Sequence, residues 1–216
     1  YFREIAKTDK YPFLFRFLVL MLSSWLFQGI LYMDKTEKLF KIFTDVFLVT
    51  CIFFLLNHHY PWVTNALIAV SLGHTINWII NGQICVVCKN LKLLNNDLIT
   101  FRGYVNEIQL RIKKEPSIEA AAVFGSLSRE SLRETSDLDI RILRKSGMLN
   151  GIRACIFVLF ERSRGLYSRF PIDIFALDSP EQLDKLDSDE VPIILYDPDK
   201  TLAHFYGIDG VIMWKL

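Results

Sequence analysis

Apolar and polar positions change rhythm midway along this chain. Residues 17–33, FLVLMLSSWLFQGILYM, form an apolar run that PFLF extends backward past Arg16 and that Asp34-Lys35 closes. Further on, 43 consecutive residues from Val46 to Cys88 contain no Asp, Glu, Lys or Arg. Asn57-His58-His59-Tyr60-Pro61 divides that stretch, because Pro61 cannot continue a helix interior. Three apolar segments result, at about 12–33, 39–57 and 61–81. Each is close to the roughly 20 residues with which a helix crosses the hydrocarbon core. Trp25, Tyr32, Tyr60, Trp62 and Trp78 are residue types that collect at membrane interfaces. No small-residue cleavage site follows the first run, and two more apolar segments come after it, so a set of two or three membrane helices is expected rather than a cleaved leader. His74, Asn77 and Asn81 share one helical face, which is expected to pack on a neighbouring helix. Asp45 lies near the start of the second segment and is expected to reach the membrane surface.

A different pattern begins near residue 95. Leu98, Val105, Ile108 and Ile112 recur at helical spacing and stop before Pro116. Residues 120–124 form a short apolar run, and Gly125-Ser126 turns the chain. A short polar helix is expected over 127–134. Leu138, Ile140 and Ile142 then alternate with Asp139 and Arg141, the period of a half-buried strand. Residues 149–163 read as a one-faced helix, 171–177 as a third strand, 179 onward as a helix entered through Ser179-Pro180, and 192–196 as a last strand. This order predicts an α+β fold with a small mixed sheet and helices packed on it, following the N-terminal membrane helices. The boundary is placed between residues 90 and 91, with a membrane domain over residues 1–90 and a second domain over residues 91–216.

Charge sharpens the division. The 216 residues sum to +1, but residues 1–115 carry 13 basic against 8 acidic side chains, and 116–216 carry 12 against 16. An acidic second half argues against DNA or RNA as partner, since a grip on phosphates needs many cations. Four cysteines give no disulfide framework. Cys85-Val-Val-Cys88 has the spacing of a metal or redox pair, but no second pair follows, and its place beside the membrane favours packing or lipidation.

The chemistry gathers in residues 124–143, FGSLSRESLRETSDLDIRIL. Asp137 and Asp139 stand two apart on a predicted strand and project from one face. Asp173 lies in PIDIF, an acid among residues that favour burial, which is costly without compensation. Three such carboxylates repel each other, and a hard divalent cation relieves the repulsion. Two Mg²⁺ ions so held can activate an attacking oxygen and stabilise a leaving phosphate. At Gly125-Ser126 a missing side chain lets a phosphate approach the backbone. Arg129 and Arg133 are cationic candidates for that phosphate, and Arg141 shares the face of Asp137 and Asp139.

These residues resemble the nucleotidyltransferase fold of the DNA polymerase β superfamily in its minimal form. That family carries Gly-Ser, ten residues, Asp-x-Asp, and a third acid on a later strand; here Gly125-Ser126, Asp137-Leu138-Asp139 and Asp173 stand in that order. The resemblance covers about 95–200. It implies that Asp137, Asp139 and Asp173 bind two Mg²⁺ ions (Mn²⁺ as a substitute), that Asp173 serves as base, and that Gly125, Ser126 and Arg129 bind the nucleotide. One departure is Glu130, where small members often carry Gly. The expected activity is transfer of a nucleoside monophosphate from an NTP to an acceptor, with release of pyrophosphate. The acceptor would be a lipid head group, a surface-polymer (glycan) precursor or a membrane protein, and the catalytic domain would face the cytoplasm. The alternatives are a nucleotide- or partner-binding membrane protein without turnover, and protein modification by AMP as in antitoxin-type members.

Overall fold

A computed structural model describes residues 12–57, 59–90, 97–185, 191–207 and 212–214. Four helices come first: α1 (Phe13–Phe27), α2 (Lys35–Leu56), α3 (Trp62–Ile80) and α4 (Gln83–Asn90). Two left-handed residues in succession, Gln28 (φ 46°) and Gly29 (φ 73°), end α1. Asp34 caps α2 by accepting from the Lys35 N–H at 2.8 Å, and Pro61 precedes α3, where its missing N–H costs nothing. Lys35–Leu56 and Trp62–Ile80 are long and apolar enough to cross a membrane, while Phe13–Phe27 is shorter. Almost none of the apolar stretch of α2 is buried within the chain.

α2 and α3 pack closely because Gly73 has no side chain. A Cβ there would lie 2.7 Å from Val49 Cγ2 and 2.9 Å from the Val49 backbone nitrogen. The polar face of α3 turns inward as expected. His74 meets Asp45 at 3.1 Å and the Trp25 carbonyl at 2.9 Å, and Asn77 donates to Asp45 at 3.0 Å. The Asp45 carboxylate is held between helices by these two side chains of α3 and stays partly exposed. Trp25 and Trp78 also turn inward, donating to Thr75 and Ser24. Tyr60 and Trp62 are exposed. Of the histidine pair in the α2–α3 turn, His58 lies outside the described residues.

The second half follows the predicted order, but one expected helix is absent, the helix expected from residue 179 is a 3-10 segment, and a helix and a strand follow the strand expected to be last. It contains α5 (Leu98–Lys114), β1 (Ile118–Phe124), β2 (Leu138–Arg144), α6 (Met148–Tyr167), β3 (Ile172–Leu177), a 3-10 segment (Pro180–Lys185), β4 (Ile193–Tyr196), α7 (Thr201–Tyr206) and β5 (Ile212–Met213). The helix expected over 127–134 is absent. Residues 125–130 form successive turns, with Arg129 N–H donating to Gly125 O and Ser131 N–H to Ser126 O. Serine explains the difference: the Ser128 hydroxyl bonds back to the Gly125 carbonyl at 3.0 Å, and such side chains compete with helix bonds.

The sheet is mixed, in the order β3-β2-β1-β4-β5. β1 is antiparallel to β2 and β4, whereas β3 runs parallel to β2 through the α6 crossover. Phe101, Val105, Ile108 and Ile112 of α5 and Val158 of α6 cover one face, against Leu138, Ile140 and Ile142. The parallel register sets Asp139 beside Asp173, Arg141 beside Phe175 and Leu143 beside Leu177, all on the opposite face.

β3 lies at the sheet edge, and the first helices close that edge. Ala176 N–H donates to Glu37 at 2.8 Å and Asp178 N–H to Asp34 at 2.9 Å, both from the start of α2. Arg162 of α6 donates to the Ile174 carbonyl and pairs with Glu37 at 2.6 Å. Backbone groups that would otherwise template a foreign strand are thereby satisfied. Ser163 donates to the Ile80 carbonyl at 2.9 Å, so the end of α3 is tied to α6 as well.

Candidate active site

The three acids converge from two neighbouring strands. Asp139 lies in β2, Asp173 is its register partner in β3, and Asp137 stands just before β2 rather than within it. A bond from Leu138 N–H to the Pro171 carbonyl at 3.0 Å aligns the two strand starts. One oxygen from each of Asp137, Asp139 and Asp173 lies within 4.8 Å of the others. Among the described residues this is the one such group with metal-ligand chemistry. Its donor set, all hard oxygen, fits Mg²⁺ or Mn²⁺ and not a soft metal.

Proximity has an electrostatic cost. Burial, then the neighbouring Asp137 and Asp173, push the Asp139 carboxyl up from 3.8 to about 7. Two cations oppose this. Lys89, near the end of α4, forms an ion pair with Asp137. Arg141 donates to the carbonyls of Ile140 (2.9 Å) and Asp173 (3.0 Å), and its Nη2 stands 3.7 Å from the Asp173 carboxylate. The Arg141 guanidinium also lies 4.9 Å from the centre of the Phe175 ring.

Gly125 follows β1 directly and adopts φ 77°. A side chain here would collide with the Asp139 carboxylate. The glycine thus serves the acid as well as the turn. The Ser126 hydroxyl is buried and has no hydrogen-bond partner, and a ligand oxygen would satisfy it. Arg129 is exposed on the turn. Glu130 is also exposed and takes φ 53°, the conformation glycine adopts freely. Arg133 is exposed, its N–H bonded to Ser136 Oγ at 3.0 Å in the turn leading to Asp137.

Lys89 and the room Gly125 makes for Asp139 were not evident from the chain. Lys89 carries no mark except its charge at a helix end, and its partner stands far along the sequence. The cysteine pair of α4 forms no metal group among the described residues: Cys85 is buried, and burial pushes its thiol up to about 11.

Residues 106–183 match the family model described as "Polymerase beta, Nucleotidyltransferase". The matched segment begins within α5 and contains Gly125, Ser126, Arg129 and all three acids, and it excludes α1–α4. No curated protein matches the chain.

Proposed function

We propose that this chain is a membrane-anchored, Mg²⁺-dependent nucleotidyltransferase. It moves a nucleoside monophosphate from an NTP to an acceptor at the membrane and releases pyrophosphate. The observation that carries this reading is the convergence of Asp137, Asp139 and Asp173 beside the unpartnered Ser126 hydroxyl, all within the segment that matches the nucleotidyltransferase model.

The roles follow from position. Asp137 and Asp139 hold the metal pair, with Asp173 as third ligand. Bound Mg²⁺ supplies positive charge to the triphosphate and acidifies an acceptor hydroxyl. Ser126 and the turn at Gly125 seat phosphate oxygens. Arg129 extends cationic charge to the same side. Asp173 takes the acceptor proton, and Arg141 orients Asp173. Glu130 is exposed, so solvent and salt screen its charge at the turn.

Anchoring rests on apolar exposure. Leu39, Phe43, Phe47, Phe54 and Leu55 of α2 and Trp62 and Leu67 of α3 are all exposed. An apolar surface of this extent marks a lipid or protein contact. The triad faces the cytoplasm, where nucleotides are supplied. A lipid head group, glycan precursor or membrane protein there is a fitting acceptor. The test is pyrophosphate release by the full chain in lipid vesicles with each NTP and Mg²⁺. Activity is expected to vanish in Asp137→Asn/Asp139→Asn and in EDTA. Release that survives the double variant would overturn the reading.

A further inference from the structure

We propose that the acceptor is an anionic phospholipid whose head group carries a free hydroxyl, and that it binds in the cleft where the start of α2 overhangs the β2–β3 face. This rests on the nucleotidyltransferase reading above and adds the acceptor's class and seat.

The sheet order separates donor from acceptor. Gly125 and Ser126 follow β1, on one side of β2, and β3 lies on the other. Asp139 sits between them on the middle strand. A nucleotide at the β1 turn leaves the β3 side open, and Asp173 is the acid on that side. From Asp139 and Asp173 the face continues to the next inward pair, Arg141 and Phe175, roughly 7 Å along the strands. These two line a cleft of about 330 Å³, whose opposite wall holds Tyr32, Lys35 and Lys38.

The lining selects for negative charge. The ammonium groups of Lys35 and Lys38 have no ion pair among the described residues, and Arg141 adds a third cation. The one acid in the wall, Asp34, already accepts from the N–H groups of Lys35 and Asp178. Arg141 links this cleft to Asp173, its Nη2 standing 3.7 Å from that carboxylate. A phosphodiester on these cations therefore directs the free hydroxyl of a polyol head group toward Asp173. Lys35 is the first residue of α2, and Leu39 and Ile42, one turn beyond Lys35 and Lys38, are exposed and apolar. Cations followed by an apolar helix face match a head group followed by acyl chains.

The step balances. The head-group hydroxyl oxygen bonds to the α-phosphorus of the NTP. The bond from that phosphorus to the α–β bridging oxygen breaks, pyrophosphate leaves with the electron pair, and the hydroxyl proton passes to Asp173.

Binding and turnover are tested separately. Short-chain phosphatidylglycerol is titrated into the detergent-solubilised full chain, with phosphatidylcholine and glycerol 3-phosphate in parallel. Phosphatidylglycerol is expected to bind saturably and at least tenfold more tightly than either. Lys35→Gln/Lys38→Gln is expected to lose at least tenfold while melting like the parent, since neither lysine is buried. Equal binding of the two lipids, preference for glycerol 3-phosphate, or an unaltered double variant overturns the proposal. In vesicles containing phosphatidylglycerol, label from α-³²P-NTP is expected in the lipid extract; label in the protein pellet overturns it. Asp137→Asn is expected to retain lipid binding; a parent that turns over NTP yet fails to bind phosphatidylglycerol sinks the acceptor site alone. Turnover that persists in Asp137→Asn sinks the reaction alone.

Discussion

Lys89, near the end of the last of the four N-terminal helices, forms an ion pair with Asp137 at the mouth of the acid cluster. Its ammonium stands against a carboxylate that the proposed metals require, so the pair competes with metal binding. Lys89→Met is expected to lower the half-saturating Mg²⁺ concentration about fivefold, the equivalent of about 1 kcal/mol for a partly exposed pair. Titration of pyrophosphate release against Mg²⁺ measures it. An unchanged or raised midpoint would refute the competition.

Asp139 links the site to pH. Its carboxyl is raised from 3.8 to about 7, by burial first and then by Asp137 and Asp173. Between those values the folded, metal-free chain holds a proton that the unfolded chain has released. Folding therefore favours the protonated form, and the stability from this group is complete below about pH 4 and lost as pH rises through about 7. Melting of the EDTA-treated chain is expected to fall over this window, with Mg²⁺ restoring it most strongly above pH 7. In Asp139→Asn both effects flatten. A parent melting profile with the same slope as Asp139→Asn would contradict this account.

Ser126 separates binding from folding. Its hydroxyl is buried without a partner, so its removal breaks no hydrogen bond and leaves stability unchanged or slightly higher. Ser126→Ala is expected to raise the KM for NTP about fivefold, consistent with about 1 kcal/mol for a lost ligand bond. Steady-state kinetics beside thermal melts read both effects. A destabilised variant with unaltered KM would assign the serine to the fold.

The Glu37–Arg162 pair holds the first helices to the sheet. Both side chains are almost wholly buried at 2.6 Å, and Glu37 also caps the Ala176 N–H. Arg162→Met leaves a buried carboxylate unpaired and is expected to cost about 3–5 kcal/mol. Adding Glu37→Gln to Arg162→Met removes that charge and is expected to recover some of the loss. Denaturant unfolding of the two single variants and the double measures the coupling. Simple additivity would show that the pair does not hold the helices to the sheet.

Much was legible from periodicity. The apolar segments, the 98–114 helix and the alternation around Asp139 and Asp173 each follow from which positions must leave water. Spacing also placed Asp137 and Asp139 on one side, and the PIDIF stretch flagged Asp173 as an acid among apolar neighbours. The reading failed where side chains compete with the backbone, as in the serine-rich 126–131 turn, and where polarity along a helix did not say which way the group would turn. At Asp45 the close approach at Gly73 brings His74 and Asn77 to the carboxylate, partners that the spacing did not name.

Taken by itself, the chain determined most of its helices and strands, the division between apolar and mixed halves, and the identity of the acids. Those properties depend on neighbours a few positions away, whose spacing the sequence records directly. Tertiary structure decided that Lys89 meets Asp137, that Glu37 and Asp34 seal the β3 edge, and that Lys35 and Lys38 face Arg141 across a cleft. Each of these pairs residues distant along the chain, and only packing converts such separation into contact distance.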